Sequence, residues 1–251
     1  MCPYIFGFID SYILCIAIGI IVAFFILYFY FKNNTKLDNK EIIDVYIISI
    51  FSIIGGIIFA ILFENLYELI DKGSLYKWTW GMTFLGGLFG GVVTFFSLYF
   101  IYGKKRNMDI KNILIIAPSA IAIGHAFGRI GCFLHGCCYG KETTSWIGVK
   151  FSDLAYKVIP IQLFEAFFLF VLGGILFYFA IKKKYPYTLP IYLGCYAVFR
   201  FIIEFFRGDY RGGYFLHLSP SQWLSLILLV VTPLIFYILK NKVFNVGDKH
   251  E

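Results

Sequence analysis

Seven apolar stretches of roughly 20 residues each run almost uninterrupted through the chain and leave little choice of fold. They are Tyr12–Phe31, Ile42–Phe63, Gly81–Tyr102, Asn112–Gly128, Ile161–Ile181, Leu189–Phe206 and Ser221–Leu239. Each approaches or reaches the length at which a helix crosses about 30 Å of hydrocarbon. A transmembrane barrel would instead show short segments of alternating polarity, and no stretch alternates in that way. Composition closes the argument. Only 15% of the 251 residues are charged and 60% are hydrophobic, whereas an ordinary soluble domain carries about 25% charged residues. Too few charges remain to cover a water-facing surface. The expectation is an all-α integral membrane protein, a single polytopic domain over residues 1–251 with an outer-face loop at about 129–160. A soluble enzyme, a disordered tail and a nucleic-acid-binding domain are all excluded.

The formal charge of +7 is distributed as a topology signal. Thirteen of the 22 basic residues fall at one set of span ends: Lys32, Lys36, Lys40, Lys104, Lys105, Arg106, Lys111, Lys182, Lys183, Lys184, Lys240, Lys242 and Lys249. Lys and Arg accumulate in cytoplasmic loops, so the N-terminus is expected outside and the C-terminus inside. The same charges attract anionic membrane lipids. No cleavable leader is expected, because Met1–Asp10 lacks a basic stretch and no A-x-A-like site follows it. No inverted repeat points to a transporter.

Ionisable groups within spans are costly and mark function by default. Four stand out here: Arg129, Glu165, Arg200 and Glu204. Arg200 and Glu204 are four apart and share a helix face. They form either a structural ion pair or, with Arg207, Asp209 and Arg211 following, part of an anion site. Guanidinium groups remain charged in a low-dielectric site and match phosphate oxygens in geometry. Glycines Gly55, Gly56, Gly81, Gly86, Gly87, Gly90 and Gly91 read as close helix packing. Those of His125–Gly140 (HAFGRIGCFLHGCCYG) read differently, as a re-entrant segment forming the floor of a polar pocket.

The cysteines of that segment admit three readings. His125, Cys132, His135, Cys137 and Cys138 include metal-ligand types, but neighbouring cysteines with no second C-x-x-C are a poor pattern for a metal. A disulfide requires an oxidising compartment, and adjacent Cys137 and Cys138 cannot easily bond each other. The preferred reading makes the cysteines small buried residues, with no metal and no cofactor, and gives the chemistry to Arg129.

These residues resemble the prolipoprotein diacylglyceryl transferases. Gly128-Arg129-Ile130-Gly131-Cys132-Phe133, closing at Gly140, is similar to the family's G-R-x-G-N-F…G signature. Tyr12 with Gly19 resembles its first-span tyrosine motif, and Gly81–Leu88 its G-M-S-F-H-G-G-L. Pro160–Glu165 resembles P-S-Q-L-Y-E, Tyr196–Arg207 resembles Y-x-x-F-R-x-x-x-E-F-F-R, and Ser219 and Gln222 stand at its final S-x-x-Q. The resemblance implies an enzyme of the bacterial cell (inner) membrane. It would move a diacylglyceryl group from phosphatidylglycerol to the lipobox cysteine of a preprolipoprotein and release glycerol phosphate. It implies that Arg129 and Arg200 hold the phosphate, that Glu204 orients Arg200, and that Tyr196 belongs to the catalytic set. Tyr12, Cys132, Gly140, Gln162 and Arg207 would complete the substrate pocket.

Three positions depart from the family pattern: Leu85 replaces the histidine proposed as base, Cys132 the signature asparagine, and Cys137 a glutamate. Leucine can neither take a proton nor donate a hydrogen bond. His125 and His135 are the nearby imidazoles, and His125 shares a face with Arg129 if the helix continues that far. Two alternatives remain: a relative passing the lipid to another acceptor, or a non-catalytic lipid-binding protein.

Overall fold

The computed structural model describes residues 4–5, 9–73, 77–106, 108, 110–182, 185–208 and 216–244. The side chain of Leu85, and Lys183, Lys184, Asp209, Arg211 and Lys249, lie outside the described residues. Two short ribbons, β1 (Tyr4–Ile5) with β2 (Ile9–Asp10) and β3 (Val149–Lys150) with β4 (Lys157–Val158), are antiparallel. The helices are α1 (Ser11–Asn34), α2 (Asn39–Lys72), α3 (Phe84–Leu98), α4 (Ile110–His135), α5 (Ile161–Lys182), α6 (Thr188–Ile203) and α7 (Pro220–Ile238). Tighter or wider turns prolong α3 to Arg106, α6 to Phe206 and α7 to Phe244. Among the described residues, seven helical segments are long and apolar enough to cross a membrane, as the apolar runs predict. The protein is a multi-pass membrane protein.

The chain divides into two compact units, Thr35–Asp109 and Met1–Asn34 with Ile110–Glu251. In the first, α2 starts at a capping box: the Asp38 side chain accepts from Glu41 N–H, and the Glu41 side chain accepts from Asp38 N–H. α2 then packs on α3 through glycines. A Cβ on Gly55 would sit 2.1 Å from Thr94 Oγ1, and one on Gly90 2.3 Å from Phe59 Cβ. The glycine runs of these two helices are contact surfaces, as expected for helices that approach closely through small residues.

In the second unit, Asp10 caps α1 by accepting from Tyr12 N–H at 2.8 Å. α1 crosses α4 where Gly19 meets Gly124; a Cβ on Gly19 would lie 2.9 Å from the Gly124 carbonyl oxygen. α4, α5 and α6 share a core of Ala122, Ala126, Leu169, Leu172, Leu176, Tyr192 and Tyr196. Pro118 lies inside α4 and cannot donate to the Leu114 carbonyl. The Thr188 hydroxyl approaches that carbonyl at 3.3 Å and the Ile115 carbonyl at 2.7 Å, which keeps the interrupted helix satisfied.

One expectation is corrected. The fourth span does not end at Gly128, and the following segment is not re-entrant: α4 continues unbroken to His135. Gly128 and Gly131 are helical, and Gly131 is a packing position, where a Cβ would meet Tyr12 and Cys15 at 3.1 Å. The helix stops at Gly136, whose φ of +84° is open to glycine at little cost. Gly136 N–H bonds to the Phe133 carbonyl and Cys137 N–H to the Cys132 carbonyl, the two bonds of a Schellman stop. Non-helical backbone therefore begins seven residues later than Arg129, at Gly136.

Candidate functional site

The site follows from three helical stripes that change from apolar to polar at one end of the second unit. On α5 the buried stripe Leu176, Leu172, Leu169 ends at Glu165. On α6 Tyr192 and Tyr196 lead to Arg200. On α4 His125, Arg129 and Cys132 follow at spacings of four and three, the same face of a helix. Antiparallel packing brings the end of α4, the start of α5, the end of α6 and the start of α7 together.

Two carboxylates organise what meets there. Glu165, 1% exposed, holds Arg129 Nη2 at 3.0 Å through Oε1. The Tyr196 hydroxyl donates to the same oxygen at 3.0 Å, and His125 Nε2 lies 3.9 Å from it. The His125 ring meets Tyr196 edge-on, with centroids 5.3 Å apart. Glu204 is the second organiser. Its Oε2 lies 2.7 Å from Arg200 Nη2 and 3.8 Å from Arg207 Nε, and its Oε1 accepts from Ser219 Oγ at 2.9 Å. Arg200 also donates to Ser221 Oγ at 3.1 Å. Three arginines therefore face two glutamates, leaving one positive charge in excess in a largely buried cluster. Arg129 Nε and Arg200 Nη1 are buried without a hydrogen-bond partner among the described residues. Leaving such charged donors unmatched is costly, so the arrangement is complementary to a singly charged anion with several acceptor oxygens.

The loop after α4 closes over this cluster. Gly140 forms an isolated antiparallel bridge with Arg207, and Lys141 N–H donates to the Phe206 carbonyl at 2.8 Å. Gly140 has no space for a side chain: its Cβ would stand 2.7 Å from the Ile159 carbonyl oxygen. Gly140→Ala is expected to displace this bridge and cost about 1–3 kcal/mol, as overpacking does. Thermal unfolding of the purified variant in detergent checks this, an unchanged midpoint being the contrary result.

The profile of the family described as prolipoprotein diacylglyceryl transferase matches residues 4–238. The chain belongs to the prolipoprotein diacylglyceryl transferase family. It is 34% identical to a phosphatidylglycerol–prolipoprotein diacylglyceryl transferase of Clostridium tetani, over 89% of this chain and 90% of that protein. It is 32% identical to phosphatidylglycerol–prolipoprotein diacylglyceryl transferase 2 of Clostridium perfringens, over 95% of this chain and 94% of that one. A like-named protein of Ehrlichia canis is 34% identical over 85% of each chain.

Membership in the transferase family gives the motifs a physical content. The S-x-x-Q of Ser219 and Gln222 is the capping box of α7: the Ser219 hydroxyl accepts from Gln222 N–H, and Gln222 Oε1 accepts from Ser219 N–H at 2.9 Å. That cap leaves the Ser219 hydroxyl hydrogen directed to Glu204, so one serine both starts a helix and orients the carboxylate that holds Arg200. Of the residues singled out in the sequence, His125, Arg129, Tyr196, Arg200, Glu204 and Arg207 come together around the two carboxylates. Tyr12 packs on Gly131 of α4 and lies edge-on to His135 at 6.4 Å. Gln162 donates to the Cys137 carbonyl at 2.6 Å, so its amide secures the turn after α4. His135 is half exposed, 3.9 Å from Asp10, and stands apart from Glu165's partners.

Glu165 stands out in the sequence only as an intramembrane charge, and the structure gathers Arg129, Tyr196 and His125 around it. The signal was available in its place at the end of a leucine stripe with spacings of four, three and four. Ser221 joins the cluster through Arg200, and nothing in its local sequence pattern marks it.

Proposed function

We propose that the protein transfers a diacylglyceryl group from phosphatidylglycerol to the lipobox cysteine of a preprolipoprotein, releasing glycerol phosphate. The observation that carries this reading is the pair of buried guanidinium nitrogens, Arg129 Nε and Arg200 Nη1, in a cluster with one excess positive charge. A phosphodiester carries one negative charge and several acceptor oxygens, and so matches that cluster. As the C–O bond to phosphate breaks, negative charge grows on the leaving oxygens. Donors already fixed by Glu165 and Glu204 stabilise it without reorganising. The incoming sulfur attacks as thiolate, and His125, beside Glu165 and Tyr196, is the imidazole that takes its proton.

The Lys and Arg asymmetry supports an orientation in which this end of α4 faces the outside of the bacterial inner membrane. A lipobox thiol delivered there meets a lipid headgroup from the outer leaflet.

The test combines the purified protein in detergent, headgroup-labelled phosphatidylglycerol and a lipobox peptide. The proposal expects the peptide to gain the mass of one diacylglyceryl group while labelled glycerol phosphate is released in equal amount. Glycerol phosphate without peptide modification would move the reaction to another acceptor. Neither product would leave a lipid-binding protein.

A further inference from the structure

The Schellman stop that ends α4 does something the linear spacing of the cysteines conceals. In such a stop the residue two places past the cap folds back over the third residue from the helix end, and their side chains touch. Here those two residues are Cys137 and Cys132, joined by the Cys137 N–H to Cys132 carbonyl bond of 3.0 Å. Cys138 follows with a φ of +63°, a left-handed turn. The result is three sulfurs, each within 4.8 Å of the other two. Cys132 is buried, and Cys137 and Cys138 are half-buried.

We propose that Cys132, Cys137 and Cys138 form a binding site for a thiophilic divalent cation of the zinc type. Zinc–thiolate bonds are about 2.3 Å long, which places three ligand sulfurs roughly 3.8–4.0 Å from one another. The observed spacing reaches that geometry by small side-chain rotations with the backbone in place. The backbone is held: Gln162 grips the Cys137 carbonyl at 2.6 Å. On binding, the three thiols release three protons to solvent and the ion makes three metal–sulfur bonds, leaving a fourth position open on the half-exposed side.

The test uses the full chain in detergent, reduced, freed of reductant and titrated anaerobically with cadmium, whose thiolate complexes absorb in the ultraviolet. The expected result is a charge-transfer band that saturates at one ion per chain and is displaced by zinc. It is lost in Cys132→Ser, Cys137→Ser and Cys138→Ser and retained in Cys15→Ser and Cys195→Ser. X-ray absorption on the wild type is independent of whether any variant folds, and is expected to count three sulfur neighbours. No band, a band that survives Cys132→Ser, a sulfur count below three, or a disulfide among the three cysteines in protein isolated under native conditions would overturn the proposal.

Discussion

Arg129→Gln is expected to lower the turnover of diacylglyceryl transfer by about two to three orders of magnitude, the usual cost of removing one positioned donor to a developing anion. Glutamine is chosen because its amide still donates to Glu165, which otherwise becomes a buried carboxylate with a lost partner. The 3.0 Å contact from Arg129 Nη2 to Glu165 can therefore be approximated, while the charge and the buried Nε are removed. The loss should fall on KM as well as on kcat, because Arg129 binds the phosphate of the intact lipid and also stabilises the charge that concentrates at the leaving oxygen as the bond breaks. Initial rates over a range of phosphatidylglycerol mole fractions separate kcat from KM. A variant with unchanged kcat would remove Arg129 from the reacting centre.

The second large effect concerns stability. Glu165→Ala is expected to cost about 3–5 kcal/mol, because it strips a buried guanidinium of its counter-charge. It also removes the acceptor of the Tyr196 hydroxyl. Replacing both partners, Arg129→Leu with Glu165→Ala, should recover much of that loss, since two apolar groups in a buried site leave no charge unmatched. The double variant should unfold near the wild-type temperature in detergent and yet transfer nothing. This outcome separates the ion pair's structural part from its chemical one. A stable and active double variant would make the pair a structural pin only.

How much of this was legible in the sequence can be argued from single residues. The seven spans were plain, because hydrocarbon thickness sets a length that apolar runs must meet. Their ends were less so. Gly128 and Gly131 look like breakers when counted along the chain, yet Gly131 is small because Tyr12 and Cys15 lie against it. Gly136, three residues before Tyr139, is the real stop, and its positive φ is visible only in the backbone. The pairing of Arg200 with Glu204 was readable from a spacing of four. The pairing of Arg129 with Glu165 spans two helices and was not, since no spacing rule relates residues across a tertiary contact. The cysteines show the same limit: their spacing along the chain does not reveal that the fold-back at the end of α4 brings the three sulfurs within 4.8 Å of one another.

The central claim is that Arg129 and Arg200 jointly receive the lipid phosphate, and phosphorus NMR tests it most directly. Phosphatidylglycerol in detergent micelles is titrated with wild-type protein, Arg129→Gln and Arg200→Gln, and the phosphodiester resonance is followed. The account predicts a shifted, broadened resonance with wild type that is lost or strongly weakened with either variant. A wild-type resonance that stays at its free-lipid position, or one shifted equally by both variants, would contradict it.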